Sequence, residues 1–497
     1  MSAFPIPLRL GSPGDFTLAR EFFAAALFNN AEVCRVLKLD DMSDLGRVAW
    51  DSLDPKTISP QLGWCLQIFV RGARRPVEEC LAVCGAEVAA ALQSLGLIAG
   101  SEPQSDVVGC PVWLYPVDGF LVASDRRDLP LGEGLEPPSD VVFPAIYAGT
   151  LRFLQLMPVR PCDDALDMCG GSGIGALHLS RTARRAATAD VTERSAFFAE
   201  FNSRLNGVLL RSYCGDLYAP LAGAQFDLIT AHPPFVPARG ANMVYRDGGE
   251  TGEDIIQGII EGLPAHLRPG GTAVILCVAR DTETHTFEQR ALEWLGPARG
   301  EFDLLFGCEK LLSVEDVVES MRRHGQNLDG AAFQEMVARL RGCGTRQFVY
   351  GTLFVRRTDA AAPPPLRIRM TPAARASDFE RLFAWRLRGW QPGFGEWLAQ
   401  SRPRLAPGLG LTVRHVVRNG ELTPVEFVFR IEAGFQCALK PDGWVAPLVA
   451  RCQGVETVRS IFENLCAAGE LPDGFKLKDF LELVRLMIQQ GFLEVDE

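Results

Sequence analysis

The spacing of apolar residues divides the chain into three stretches. Up to about residue 140, apolar positions recur at helical spacing, as in residues 16–28, and one long helix is expected over residues 76–95. Two short strand-like runs then flank Asp118-Gly119, a pair of residues typical of a β-hairpin turn. Helices followed by a hairpin predict a mostly helical, winged-helix-like domain over residues 1–141.

From residue 142 to residue 358, short apolar runs alternate with helical segments. Such alternation predicts a parallel β-sheet with helices on both faces. A helix is expected over residues 254–267, and a helical insert is expected around residues 314–341. The expected strands lie at residues 165–168, 186–189, 226–230, 272–278, 302–306 and 347–355.

A third region follows the proline-rich residues 358–365, whose composition predicts a linker. Asn419-Gly420 separates two apolar runs and predicts another hairpin. Two amphipathic helices are expected over residues 455–467 and 477–490. Residues 366–497 are therefore expected to form a small α+β C-terminal accessory domain.

Composition narrows the classes of function. The 497 residues are 47% hydrophobic, which is ample for packed cores, and the net charge of −11 argues against a DNA-binding protein. The 14 cysteines are scattered, and Cys80 and Cys84 lack a second pair at zinc-finger spacing, so no metal site is expected. Scattered thiols, together with the lack of a signal peptide or a membrane-spanning run, predict a cytoplasmic protein.

Candidate chemistry lies where the predicted strands end. Ligands of open parallel sheets bind at the carboxyl ends of the strands, and glycines there let the backbone approach a ligand closely. A carboxylate after the second strand suits the two hydroxyls of a ribose, and one after the third suits an adenine amine. The strand-end segments are Asp167 with its glycine turn, Asp190, Gly215-Asp216 and His232-Pro233-Pro234-Phe235.

Four of these segments carry a family resemblance. Asp-Met-Cys-Gly-Gly-Ser-Gly (167–173), Ala-Asp-Val-Thr (189–192), Gly-Asp-Leu (215–217) and His-Pro-Pro-Phe (232–235) resemble the class I S-adenosylmethionine-dependent methyltransferases. More narrowly, they are similar to the small-domain group that includes release-factor glutamine and ribosomal-RNA guanine methyltransferases. The resemblance covers residues 142–357. It implies a Rossmann-like, seven-stranded α/β methyltransferase domain between the two flanking domains, with S-adenosyl-L-methionine as cofactor.

The resemblance also implies the roles of individual residues. Catalytic roles fall to His232, Pro233 and Phe235, and substrate contacts to Phe235, Tyr245 and Arg246. The implied cofactor-binding residues are Thr150, Asp167, Cys169, Gly171, Gly173, Asp190, Val191, Asp216, Leu217 and His232.

Two residues depart from the family pattern. Cys169 replaces the usual first glycine of the loop, where a small residue is still compatible with a tight turn. His232 replaces the usual asparagine, which in the family holds an amine next to the methyl group. An imidazole with a pKa of about 6.5 acts as a general base, so we expect an acceptor that loses a proton during transfer. The plainer alternative is a structural histidine bonded to the backbone.

Three functions remain open from the sequence. The first is methyl transfer to an oxygen or nitrogen of a small molecule, such as a natural-product intermediate, or of a peptide. The second is methylation of a protein side chain or an RNA, with the flanking domains recognising the macromolecule. The third is a binding protein that keeps the cofactor site without chemistry. A nicotinamide site is disfavoured because the Gly-x-Gly-x-x-Gly spacing is missing. No membrane partner is expected, and the oligomeric state stays open, a homodimer included.

Overall fold

The computed structural model describes residues 5–53, 57–100, 105–126, 138–238, 243–323, 328–359, 361–432 and 434–495. The chain divides into two compact units. Unit 1 comprises Met1–Arg299 and Leu312–Leu353, and unit 2 comprises Gly300–Leu311 and Phe354–Glu497. The finer division into domains over residues 1–141, 142–358 and 366–497 stays a prediction.

Unit 1 contains most of the predicted alternation of strands and helices. Its helices are α1 (Pro13–Ala25), α2 (Asn30–Leu37), α3 (Pro60–Cys65), α4 (Val77–Cys84), α5 (Ala86–Ser94), α6 (Ala148–Leu156), α7 (Ile174–Leu179), α8 (Glu193–Leu205), α9 (Asp254–His266), α10 (Phe287–Trp294), α11 (Val314–Arg323) and α12 (Gly330–Gly342). Its strands are β1 (Arg75–Pro76), β2 (Ala99–Gly100), β3 (Val107–Gly109), β4 (Trp113–Val117), β5 (Phe120–Ser124), β6 (Cys162–Met168), β7 (Ala183–Asp190), β8 (Leu210–Cys214), β9 (Phe226–Ala231) and β10 (Leu267–Thr282). Strands β11 (Phe302–Leu312) and β12 (Thr345–Arg357) include residues of both units.

The largest sheet has eight strands rather than the expected seven. Their order is β13–β11–β12–β10–β9–β6–β7–β8, where β13 is Leu366–Arg369. Strand β13 pairs in parallel with β11 and so covers a backbone edge that would otherwise be open. The α/β prediction is confirmed: residues 142–358 contribute seven strands, β6 to β12, and the eighth comes from residues that the sequence assigned to the C-terminal domain. Four residues directly after a proline-rich stretch give too short a pattern to predict a strand.

The register of β6 brings the candidate site together. Strand β6 runs parallel to β7 on one side and to β9 on the other. Asp167 lies opposite Thr188 of β7 and opposite Thr230 of β9. Because these strands share a direction and end at the same level, the loops after Met168, Asp190 and Ala231 emerge at one edge of the sheet.

Two turns show how glycine sets the local structure before residue 141. The single helix expected over residues 76–95 was wrong, because Gly85 adopts φ 77° and ψ 163° and separates α4 from α5. Only glycine adopts such dihedral angles without strain. The hairpin of β4 and β5 is confirmed, with Asp118 at φ 51° and Gly119 at φ 74°, as a type I′ turn requires.

The hairpin is attached to helix α8 by side-chain amides. The Asn202 side chain accepts a hydrogen bond from the Ala123 N–H (2.8 Å) and donates to the carbonyls of Ala123 and Ser172 (2.9 Å each). Asn206 makes the same pair of bonds with Leu121 one turn later. These amides satisfy backbone groups of β5 that no neighbouring strand reaches. One buried side chain thus joins the hairpin, α8 and the glycine loop.

Unit 2 confirms the predicted C-terminal hairpin and helices. Asn419 (φ 51°) and Gly420 (φ 84°) form its turn, and Phe480 is fully buried in a core beside Leu465 and Phe429. Of the predicted linker 358–365, residue 360 lies outside the described residues, and the Pro364 carbonyl accepts a hydrogen bond from Arg386. The remaining elements are α13 (Ala376–Gly389), α14 (Phe394–Gln400), β14 (Arg404–Leu405), β15 (Gly410–Arg418), β16 (Glu421–Glu432), β17 (Gln436–Leu439), α15 (Val445–Arg451), α16 (Val458–Ala467), α17 (Leu477–Gln489) and β18 (Leu493–Glu494).

Two features of the described residues concern membranes and metal ions. Among the described residues, no helix combines the length and apolarity that crossing a membrane requires. Within the same residues, no group of three or more His, Cys, Asp or Glu side chains is placed to hold a metal ion.

Replacing Asn202 should destabilise unit 1. In Asn202→Ala, three buried backbone groups lose their partner at once, so the free energy of unfolding should fall by about 2–4 kcal/mol. Chemical denaturation measures this change. Asn464→Ala, which removes an amide bonded to Glu456 at an exposed site, is the control and should stay within about 0.5 kcal/mol of wild type. An equally small change in Asn202→Ala would contradict the described role.

Candidate functional site

The loop between β6 and α7 is closely packed on all but one side. A Cβ atom on Gly170 would overlap the Thr188 hydroxyl, and one on Gly173 would lie 2.8 Å from the Ala199 Cβ. At Gly171, by contrast, a Cβ would have no heavy atom within 4 Å. Gly171 therefore borders open space, and its backbone is accessible to a ligand.

Cys169 occupies the loop position where the family resemblance implies a glycine. Its φ of 57° is left-handed, a conformation that costs a non-glycine residue roughly 1–2 kcal/mol. Burial raises the pKa of its thiol well above the usual range, and the carboxylates of Asp190, Asp167 and Asp216 raise it further. The thiol therefore stays neutral and contributes a small, uncharged surface.

Asp167 supports the loop from the sheet side. Its Oδ1 accepts a hydrogen bond from the Thr230 hydroxyl (2.9 Å), and a Cβ on Gly175 would collide with the carboxylate. Burial raises the pKa of Asp167 to about 7, against the opposing effect of bonds from Thr230 and the Ala176 backbone. Asp167 thus joins the start of α7 to the end of β9.

Asp190 connects three strand ends. Its Oδ2 accepts from the Gly171 N–H (2.9 Å), its Oδ1 accepts from the Thr192 N–H (3.1 Å), and its backbone carbonyl accepts from the Gly215 N–H (2.9 Å). Burial raises the pKa of its carboxyl, and the bonds from Gly171 and Thr192 oppose that shift. Val191 follows with 52% of its surface exposed.

The loop after β8 completes this edge of the site. Asp216 is exposed, and its charge is close enough to raise the pKa of the Cys169 thiol. Leu217 has a left-handed φ of 44°, and its side chain lies where Gly258 of α9 leaves room. Asp216 is thereby held at the rim of the space beside Gly171.

His232 stands at the end of β9 among aromatic rings. Its ring centroid lies 5.5 Å from that of Phe153 and 6.3 Å from that of Phe235, the latter nearly parallel at 12°. A Cβ on Gly149 would be 3.9 Å from the His232 Cε1, so the first turn of α6, which includes Thr150, faces this ring. Within the described parts of the chain, no hydrogen bond engages its ring nitrogens.

Burial lowers the pKa of His232 to about 4. The expectation of a near-neutral pKa assumed a solvated ring, whereas this ring lies beside those of Phe153 and Phe235, and its burial disfavours the charged form. At neutral pH the imidazole is uncharged, and a group with this pKa is a weak base. It remains an acceptor of one hydrogen bond and a donor of another.

The segment after His232 is fixed by the loop around Asp247. The Val236 N–H donates to the Arg246 carbonyl, and the Gly248 N–H donates to the Val236 carbonyl (2.9 Å each). Backbone atoms of Pro234 and Phe235 come so close to Gly248 that a side chain there would collide with them. Pro233 and Phe235 are thus held rigidly next to His232.

The two predicted substrate residues of that loop have different environments. Tyr245 stacks on Phe143 (centroids 4.8 Å apart), which in turn stacks on Tyr147 (4.5 Å). The Arg246 guanidinium is bound to the buried carboxylate of Asp247 (2.7 Å), so its charge is already used within the loop.

Several neighbours of the site were not predicted from the sequence. Gly149 and Phe153 of α6 contact the His232 ring, and the Tyr350 hydroxyl of β12 would lie 3.8 Å from a Cβ on Gly149. Phe143, Tyr147 and Phe153 lie within twelve residues of one another, a cluster of aromatic residues that the sequence alone could have indicated. Phe235 and Val236 also pack against a core formed by the helical insert α11–α12.

The chain is similar to methyltransferases of known family. The methyltransferase small domain family matches residues 144–292. A ribosomal protein uL3 glutamine methyltransferase of Bradyrhizobium diazoefficiens is 30% identical over 158 residues, covering 28% of this chain and 49% of the relative. A release factor glutamine methyltransferase of Moorella thermoacetica is 32% identical over 127 residues, covering 22% and 45%. The chain thus spans about half the length of these curated relatives.

Among solved structures, the chain is similar to a ribosomal protein L11 methylase from Lactobacillus delbrueckii subsp. bulgaricus. The sequences are 18% identical, the match covers 42% of this chain and 77% of the other, and the TM-score is 0.24.

The residues at the sheet edge fit the cofactor of this family. A nucleoside with a ribose and an exocyclic amine requires open space and two hydrogen-bond acceptors. The space lies beside Gly171, and the carboxylates of Asp190 and Asp216 are the acceptors. His232 follows β9, and Thr150 lies in the first turn of α6 next to Gly149, which faces the His232 ring. Through residues 144–292, the chain is therefore similar to the methyltransferase small domain family and to S-adenosylmethionine-dependent methyltransferases of that group.

Proposed function

We propose that this protein is an S-adenosylmethionine-dependent methyltransferase that methylates a side-chain nitrogen of a protein, with a glutamine amide as the acceptor. This proposal prefers the macromolecular alternative over a small-molecule acceptor. Both relatives described above are named for methylation of glutamine, one in a ribosomal protein and the other in release factors. The family match over residues 144–292 includes the His-Pro-Pro-Phe segment of this chain.

The neutral, unpartnered imidazole of His232 is the observation that carries the proposal. A side-chain amide has two N–H groups, and both need acceptors once the amide is taken out of water. One ring nitrogen of His232 can accept the first, and the Pro233 carbonyl can accept the second. His232 would then hold the acceptor nitrogen as the family's asparagine does.

The site residues divide the work of the transfer. When bound, the cofactor supplies an electrophilic methyl group on a sulfonium. As the bond from nitrogen to carbon forms and the bond from sulfur to carbon breaks, the nitrogen loses one proton. With a pKa of about 4, His232 retains such a proton poorly, so the proton passes on to water. The chain's main contribution is alignment of the nitrogen beside the His232 ring, which the rings of Phe153 and Phe235 flank.

The cofactor site is tested by changing Asp190. Asp190→Ala removes the charged acceptor for the ribose and the bond to Gly171, so affinity for S-adenosylhomocysteine should fall about 10- to 100-fold by calorimetry. Asp190→Asn keeps an acceptor for the Gly171 N–H and should lose less. The control Asp44→Ala removes an exposed carboxylate paired with Arg47 and should bind as wild type does. Unchanged affinity in Asp190→Ala would refute the assignment.

The role of His232 is tested by its pH dependence. The neutral form predominates above about pH 4, so the rate should be flat with respect to this group from pH 6 to pH 8 and should fall only as the pH approaches 4. His232→Asn should retain most activity, because an amide oxygen also accepts an N–H. His232→Ala should lose about 10²-fold or more in kcat with nearly unchanged cofactor affinity. A rise in rate with pH that is centred near pH 6.5 and is absent from His232→Asn would instead identify a general base.

The acceptor class is tested with cofactor that carries a labelled methyl group. After incubation with cell extract, the label should enter the protein fraction, and mass spectrometry should locate one added methylene unit on a glutamine. His232→Ala is the matched negative control. Label in RNA or in small molecules would show that the acceptor is not a protein. If no fraction is labelled, the result would indicate a binding protein without turnover.

A further inference from the structure

Unit 2 contains a cavity of about 950 Å³ that the methyltransferase site does not use. One wall is the side of α13 that carries Arg381, Trp385 and Arg388, and the opposite wall includes the end of α17 and strand β18. Arg356, Arg404 and Trp397 also line it. Four arginines and two tryptophans thus surround one space within a single unit.

The cationic lining contrasts with the charge of the chain. The whole protein has a net charge of −11, whereas residues 354–497 contain 19 Arg and Lys against 17 Asp and Glu. The positive charge of this segment is therefore not an average property of the protein. In the cavity lining, Arg356, Arg381, Arg388 and Arg404 outnumber the two carboxylates, Asp378 and Glu494.

Two of the four arginines, Arg356 and Arg388, make no close ion pair within the described residues, although the charge of Arg356 opposes the burial that raises the pKa of the Asp303 carboxyl. Arg388 lies over the Trp397 ring, with its guanidinium carbon 3.9 Å from the ring centroid. For the parts of the chain that the structure describes, neither Arg388 nor Arg356 makes a side-chain hydrogen bond or an ion pair. A guanidinium stacked on an indole keeps its in-plane N–H groups for a ligand.

The other two arginines already hold a carboxylate. Arg381 Nη1 lies 3.3 Å from Glu494 Oε1, and Arg404 Nε lies 3.2 Å from Glu494 Oε2. Glu494 belongs to the short strand β18, and its side chain is 25% exposed. The cavity therefore has a shape and charge in which a carboxylate can be bound by two guanidinium groups.

We propose that this cavity binds an acidic peptide segment, with its carboxylates on Arg356 and Arg388 and an apolar side chain against Trp385. That the peptide belongs to the protein being methylated rests on the proposed function. Arginines and tryptophans also bind single-stranded RNA. A peptide is favoured because the chain is acidic overall, and because the anion already held by these arginines is a carboxylate. Binding a second segment of the substrate raises its effective concentration at the catalytic unit.

The test measures binding of a fluorescein-labelled peptide of alternating glutamate and leucine to the full chain by anisotropy. Wild type should bind it in the micromolar range, more weakly as salt is added. Arg356→Ala and Arg388→Ala should each weaken binding about tenfold. The matched control is Arg414→Ala on strand β15, an exposed arginine paired with Glu426, and it should leave the affinity unchanged.

Glu494→Gln should strengthen peptide binding, which a loss of folding could not do. If Glu494 competes with the peptide for these arginines, its neutralisation should tighten peptide binding several-fold, because Arg404 and the Nη1 of Arg381 lose the Glu494 carboxylate, while the Nη2 of Arg381 stays paired with Asp378. Weaker or unchanged binding in Glu494→Gln would contradict a carboxylate site.

Three further outcomes would overturn the proposal. These are no binding of the acidic peptide at low salt, equal binding by Arg388→Ala and wild type, or tighter binding of a single-stranded RNA of equal length through the same arginines. Methyl transfer to protein without peptide binding would contradict the peptide site and leave the proposed function intact. Label in RNA or small molecules would contradict the proposed function, whether or not the cavity binds the peptide.

Discussion

The hydrogen bond between the Asp190 carboxylate and the Gly171 amide is the interaction on which the candidate site depends. It joins the loop after β6 to the end of β7, and the Asp190 carbonyl adds the loop after β8 through Gly215. Three strand ends are thereby fixed relative to one another before any ligand binds. A cofactor would meet a preorganised edge, so little of its binding energy would be spent on ordering loops.

Stability and function place opposite demands on this edge. Cys169 is held in a left-handed conformation, and the carboxyl groups of Asp167 and Asp190 are buried enough that their pKa values are raised. Each of these features is unfavourable in isolation. The surrounding structure tolerates them through the Thr230 hydroxyl, the Gly171 and Thr192 amides, and the packing of α8 against Gly173. Strain confined to a ligand-binding edge is common among enzymes.

The fold was largely predictable from the sequence, because alternation of apolar runs and helices is a local signal. Strand β13 and the break at Gly85 were missed for the opposite reason: one depends on pairing with β11, and the other on a single dihedral angle. The site motifs at Asp167, Asp190 and Asp216 were found at strand ends, and their roles toward a ligand remain predictions. The pKa of His232 could not be predicted, since it depends on Phe153, a residue far from it in sequence but in contact with its ring.

The proposed function requires His232 to be a neutral hydrogen-bond acceptor rather than a titrating base. The most direct measurement is an NMR pH titration of protein labelled in its six histidines, with the His232 signal assigned by its absence in His232→Asn. The structure predicts that this imidazole titrates at about pH 4, well below an exposed histidine. A midpoint near pH 6.5 would show a solvated ring ready to take a proton, and would contradict the account.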